Sequence, residues 1–186
     1  MEPHTTDSPA ARWVTLALGL IALALTIGVL AATNPAGGAG GRLKTMLSQA
    51  GYLPLSGPGL VITLDDSGDP TRGEEGILHE QDLLMLINEL RAAGARAISI
   101  GDGKREERIT ALSTVRCVGP VVLVNQTQMV PPLTIKALGD PERLMAALST
   151  AGGVVDLLRA AGLKISLGGR DHLTLPGQPG VEGGEW

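Results

Sequence analysis

The chain has 186 residues, a formal net charge of −4, one cysteine and almost no aromatic residues: no Phe, one Tyr and two Trp. A single cysteine excludes an intramolecular disulfide and a cysteine-built zinc site. The acidic balance and the missing aromatics argue against nucleic acid as a partner, because the backbone needs cations and single strands need stacking platforms.

Residues 1–13 are polar and contain proline, and disorder is expected there. Val14 to Ala32 carries no charge. A run of about 20 apolar residues is what a helix needs to cross a bilayer. It is read as an uncleaved transmembrane anchor, with a cleaved signal peptide as the alternative, since Ala31 to Ala36 offers small residues for cleavage. Flanking Arg12, Arg42 and Lys44 nearly balance, so charge does not decide the orientation. Residues 33–56 read as a Gly-rich linker over Asn34 to Gly41 and a short helix over Arg42 to Ala50.

Residues 57–175 read as one domain. Gly59 to Leu64 is a branched apolar run, a buried strand, ended by the turn residues Asp65 to Pro70. Glu80 to Ala93 is an amphipathic helix with Leu83, Leu86, Ile87 and Leu90 on one face, and Gly94 suits its cap. Strands follow over Ala95 to Ile100, Ile109 to Val118 and Pro120 to Val124, the last two joined at Gly119. Leu133 to Leu138 alternates as a strand. Asp140 and Pro141 open a helical region that reaches Ala161, broken at Gly152-Gly153. Leu163 to Leu167 is a strand, and His172 to Leu175 is a second, edge strand. The tail, 176–186, reads as loose.

The sequence Leu90-Arg-Ala-Ala-Gly94 recurs as Leu158-Arg-Ala-Ala-Gly162, each time followed by a strand and preceded across the helix by a strand. Two strand–helix–strand units with a strand pair between them predict an α+β domain. The expected arrangement is one mixed sheet with helices on one face, resembling a ferredoxin-like variant with extra strands.

No constellation for catalysis is legible. His79-Glu80 lacks the second histidine of a zinc helix, position 83 being Leu83. Asp65, Asp66 and Asp69 begin like a calcium loop, but Pro70 interrupts it and Gly76 stands where the closing Glu belongs. Neither phosphate-binding glycine pattern opens a helix. No metal, cofactor or catalytic residue is expected. Cys117, in an apolar stretch, reads as an inert thiol. Lys104-Arg105-Glu106-Glu107-Arg108 reads as a solvated turn of mixed sign. The candidate binding residues are Asp65, Asp66, His79 and Asn125, which would line a cleft near the turns after Leu64 and Ile100.

The ordered stretches Gly57 to Asp65, Ile77 to Leu84 and Ile87 to Ile100, with Arg108-Ile109, Cys117 to Gly119, Val124-Asn125, Pro131-Pro132 and Ile135 to Gly139, resemble the YlxW/YlxX type of Gram-positive bacteria. The resemblance covers about Gly57 to Leu167. It implies a single-pass membrane protein with an extracytoplasmic α/β domain, encoded near division and envelope genes. It carries over no catalytic residue. Members often have a longer coiled-coil segment after the anchor, where this chain offers Arg42 to Ala50. The function expected is therefore a membrane-anchored interaction or scaffold protein of the cell envelope, linked to division. Its partners would be the membrane and envelope proteins, with self-association as an option. A binding module for a small ligand or envelope polymer is the alternative, and a hydrolase using His79 a remote one.

Overall fold

The computed structural model describes residues 35–178. The expected anchor at 14–32 and most of the expected tail lie outside them. Among the described residues no helix is long and apolar enough to cross a membrane.

The first element is helix α1, Pro35–Gln49. It begins within the stretch read as linker. Proline suits the first helical position, since its missing N–H is unbonded there anyway. The glycines that follow each cost about 1 kcal/mol against alanine in a helix, so local propensity argues for a linker and does not account for the helix. The chain divides near Thr45 into two units, and the domain proper is the one that starts at Met46.

The domain runs β1 (Leu55–Asp65), a 3₁₀ segment (Pro70–Gly76), α2 (Glu80–Ala92), β2 (Ala97–Gly101), β3 (Glu106–Ile109), β4 (Val115–Val118), β5 (Val121–Val124), β6 (Thr127–Met129), β7 (Leu133–Leu138), α3 (Pro141–Leu148), α4 (Val154–Ala160) and β8 (Lys164–Leu175). One sheet has five strands in the order β3-β2-β7-β1-β8, and a smaller one has β4-β5-β6.

The fold is α+β, and its sheets are antiparallel between all neighbours, which corrects the expected mixed sheet. The reason is interleaving. β1 and β2 run parallel, as a crossover through α2 requires, but β7 lies between them. β7 and β8 run parallel likewise, with β1 between them. The order β2-β7-β1-β8 is that of a split strand–helix–strand pair, with β3 added at one edge.

Alternation decides which side chains meet the helices. Leu60, Ile62 and Leu64 of β1, Ile98 and Ile100 of β2, and Leu133 and Ile135 of β7 form one core with Leu83, Leu86, Ile87 and Leu90 of α2, Leu144 and Leu148 of α3, and Val155 and Leu158 of α4. The helical face read from sequence is thus the one buried. The repeated Leu-Arg-Ala-Ala-Gly segments end their helices alike. Gly94 and Gly162 both take positive φ, and the next amide in each returns to the carbonyl of Leu90 or Leu158. This satisfies a carbonyl that the helix end leaves open.

Several strands differ from expectation, and β1 starts at Leu55, ahead of the expected Gly59. The strand expected over Ile109 to Val118 is two strands with a turn between. Ser113 Oγ accepts from the Thr110 amide, and the Leu112 amide donates to Thr110 Oγ1, so side-chain hydroxyls stop the ladder. β6 was not foreseen. It follows a two-residue turn in which Asn125 and Gln126 both have positive φ, 49° and 71°, and Asn-Gln lacks the usual glycine. The segments Leu163 to Leu167 and His172 to Leu175 are one strand, β8, with a register shift opposite Pro58.

The candidate polar residues and the open face of the sheet

Each candidate from sequence has a place, and they do not converge on one cleft. Asp65 and Asp66 close the turn after β1. Asp65 Oδ1 accepts from the Asp66 amide at 2.9 Å, and Asp66 Oδ1 accepts from the Leu78 amide at 2.8 Å. Asp66 borders a shallow hollow of about 560 Å³ with Ser67, Asp69 and Ile77; neither His79 nor Asn125 lines it. His79 is the N-cap of α2. Its amide donates to Asp82 Oδ2 at 2.9 Å, one arm of a capping box. Its imidazole is about half exposed, 3.9 Å from the same carboxylate. Asn125 is a tie at the β5–β6 turn. Its Nδ2 donates to the Arg108 carbonyl at 3.1 Å and to Glu107 Oε2 at 3.3 Å, while its Oδ1 accepts from the Thr114 amide.

Cys117 is half-buried, its Sγ donating to the Leu78 carbonyl. Burial pushes the thiol above its ordinary pKa, and the charges of Glu80, Asp82 and Asp66 push it further the same way. A thiol so placed is held in its neutral, unreactive form. Among the described residues no three His, Cys, Asp or Glu side chains group as metal ligands.

The segment Lys104 to Arg108, read as a solvated turn, is turn only at its start. Asp102 Oδ1 accepts from the amides of Lys104 and Arg105, and those bonds lower its pKa, that of Arg105 first. Glu106 to Ile109 is β3, so its charges alternate between faces. Glu107, on the helix-side face, accepts from Thr127 Oγ1 at 2.7 Å and from Asn125. Arg108 faces the other way and is only 3% exposed. Burial lowers the pKa of its guanidinium from the ordinary value. Gly51 and Pro176 lie over it: Nη1 donates to the Pro176 carbonyl at 3.5 Å, and the Gln178 amide donates to the Gly51 carbonyl at 2.7 Å. The first three residues of the expected loose tail are therefore tied down.

The face opposite the helices carries a cluster that sequence reading did not single out. Register sets Ser99 between Arg108 and Lys136, and Gly101 between Glu106 and Thr134. Ser99, fully buried, donates to Glu106 Oε1 at 2.6 Å, and Lys136 Nζ donates to Glu106 Oε2 at 2.7 Å. The alternation of Ser99 and Lys136 with core residues was the available signal, but it does not say that the two meet, and the charged run around Glu106 shows no such alternation.

Residues 42–182 match the model of a family described as "Bacterial protein of unknown function (DUF881)". The chain belongs to this family. Relatives of the DUF881 chain include UPF0749 protein YlxW of Bacillus subtilis, 34% identical over 62% of this chain and 50% of that one. UPF0749 protein Mb1856 of Mycobacterium bovis is 35% identical over 84% of this chain and 53% of that one. The chain thus spans about half the length of these relatives. A crystal structure of an uncharacterized conserved protein from Mycobacterium tuberculosis is similar in fold, with a TM-score of 0.68 and 30% identity over 78% of this chain and 96% of that one. The YlxW-type resemblance seen in the sequence is thereby shown, and the family is uncharacterised.

Proposed function

We propose that the chain is a membrane-anchored interaction protein of the bacterial envelope, its domain held outside the cytoplasm as a docking platform, with a link to division and no reaction of its own. The apolar run Val14 to Ala32 and the YlxW-type resemblance support the placement. One structural observation carries the interaction reading. β8 is a 12-residue strand at the edge of the five-stranded sheet, paired with β1 alone among the described residues. The edge at β3 is met by side chains, since the Arg108 carbonyl accepts from Asn125 and Ser113. At β4 the Cys117 amide is held by Glu80. Along β8 the Gly169 carbonyl accepts from Arg170 Nη1; the rest of this long edge offers main-chain groups to an added strand, a recurrent mode of protein recognition.

A photo-crosslinking residue at Ser166 on β8, in intact membranes, tests this against the same residue at Asn88 on the exposed side of α2. A discrete adduct from Ser166 alone supports the reading. Equal adducts from both positions, or none, overturn it. The placement is tested separately by a membrane-impermeant thiol reagent on a Cys at Gln178 in a Cys117→Ala chain; labelling only after lysis overturns it.

A cleft at the β2–β3 turn, lined by Gly101, Arg105, Glu106 and Lys136, favours a second reading, a binding module for a small ligand.

A further inference from the structure

We propose that the face of the five-stranded sheet opposite the helices carries a binding site for a phosphate group, centred on Lys136. This rests on the second reading, whose ligand it names, and does not depend on the interaction reading. The site is a cleft of about 260 Å³ at the β2–β3 turn, lined by Lys104, Arg105, Glu106, Thr134 and Lys136 over Gly101.

Three features of the chain build it. The first is a close approach. Gly101 lies in register between Glu106 and Thr134, and the β2–β3 turn folds down onto it where a side chain would stand. A Cβ there would meet the Arg105 carbonyl at 2.7 Å and Glu106 Cβ at 3.3 Å. The second is a positioned ammonium. Ser99 holds one oxygen of Glu106 and Lys136 holds the other, so both oxygens of the carboxylate already accept a bond. Lys136 has three donors and gives one to Glu106, leaving two for a ligand. The third is the source of the remaining charge. Lys104 and Arg105 are exposed on a turn pinned by Asp102, whose carboxylate also attracts the Arg105 charge.

Charge and direction together choose the ligand. Lys104, Arg105 and Lys136 outnumber Glu106 and the neighbouring Asp102, so the cleft favours an anion. Its donors come from two elements, the floor strand β7 and the overhanging turn. A planar carboxylate is matched by one fork of donors. A tetrahedral phosphate accepts from several directions, and Arg and Lys are its usual partners. Thr134 adds a hydroxyl on the same floor. The phosphate could belong to a soluble ester or to a lipid headgroup, and the chemistry recognised is the same.

The test titrates the full chain in detergent with inorganic phosphate, glycerol 3-phosphate and dihexanoyl phosphatidic acid, with sodium chloride at matched ionic strength as control. The readout is the amide shifts of Gly101, Gly103 and Lys136. Saturable shifts with one or more of the phosphates and none with chloride are expected. Response to phosphate or glycerol 3-phosphate marks a soluble ester; response to the lipid analogue alone marks a headgroup. Arg105→Gln, on the exposed turn, should bind about tenfold or more weakly with an unchanged Tm, the usual effect of losing one charged hydrogen bond. Lys136→Met should lose more. No saturable response to any of the three, the same response to chloride, or full affinity in Arg105→Gln overturns the proposal.

Discussion

Asn125 allows a binding role to be separated from a structural one. Its φ of 49° is a conformation that asparagine tolerates and alanine does not, at about 1 kcal/mol for a non-glycine residue. Its side chain bonds the Arg108 carbonyl, Glu107 and the Thr114 amide, at 3.1 to 3.3 Å. Bonds of this length at a half-buried site contribute about 0.5 kcal/mol each, the low end of the usual range. Asn125→Ala should therefore destabilise the domain by about 2–3 kcal/mol in urea unfolding. Asn125→Gly keeps the backbone freedom and loses only the bonds, so it should cost about 1–2 kcal/mol. The difference between the two variants isolates the conformational part. If alanine costs under about 0.5 kcal/mol, the tie between the two sheets is wrongly described, and Asn125 returns to the list of free polar groups. If alanine and glycine cost the same, the positive φ is not held in solution.

Truncating Leu86 or Leu90, both fully buried in the face of α2 against the sheet, should cost about 2–5 kcal/mol by the same assay, and under 0.5 in both would misplace that face. Gly59→Ala should destabilise by about 2 kcal/mol or more, because a Cβ there meets the Ala137 carbonyl in the β1–β7 ladder; a silent substitution would mean the ladder is looser than described. Cys117 should alkylate more slowly than a free thiol at pH 8. Its folded pKa is raised by burial first and then by Glu80, so its contribution to stability is complete below the ordinary thiol pKa and is lost as pH rises through the folded value. Glu80→Gln should speed the reaction, and labelling at the rate of a free thiol would refute the burial.

What the sequence determined by itself is local. The 3.6-residue spacing in Glu80 to Ala93 named the buried face of α2. Alternation named β7 to the residue, and Asp140 with Pro141 named the start of α3, where Asp140 accepts from the amides of Glu142 and Arg143. Each of these signals rests on the geometry of neighbours along the chain. Tertiary structure decided where non-neighbours meet. The sheet is antiparallel because the two crossover units interleave, and strand order is not written in any one strand's pattern. The turn at Asn125 holds its positive φ without glycine because Glu107 and Arg108, from another sheet, accept its amide. The charged run after Gly103 looked like a solvated turn because alternation was hidden by like polarity on both faces. Once β3 pairs with β2, Glu107 turns to the small sheet, Arg108 is buried beneath residues from both ends of the domain, and Glu106 reaches Ser99 and Lys136. Ser99 and Lys136 lie on different strands with four further strands between them in the chain, and only the β2–β7 register sets them side by side.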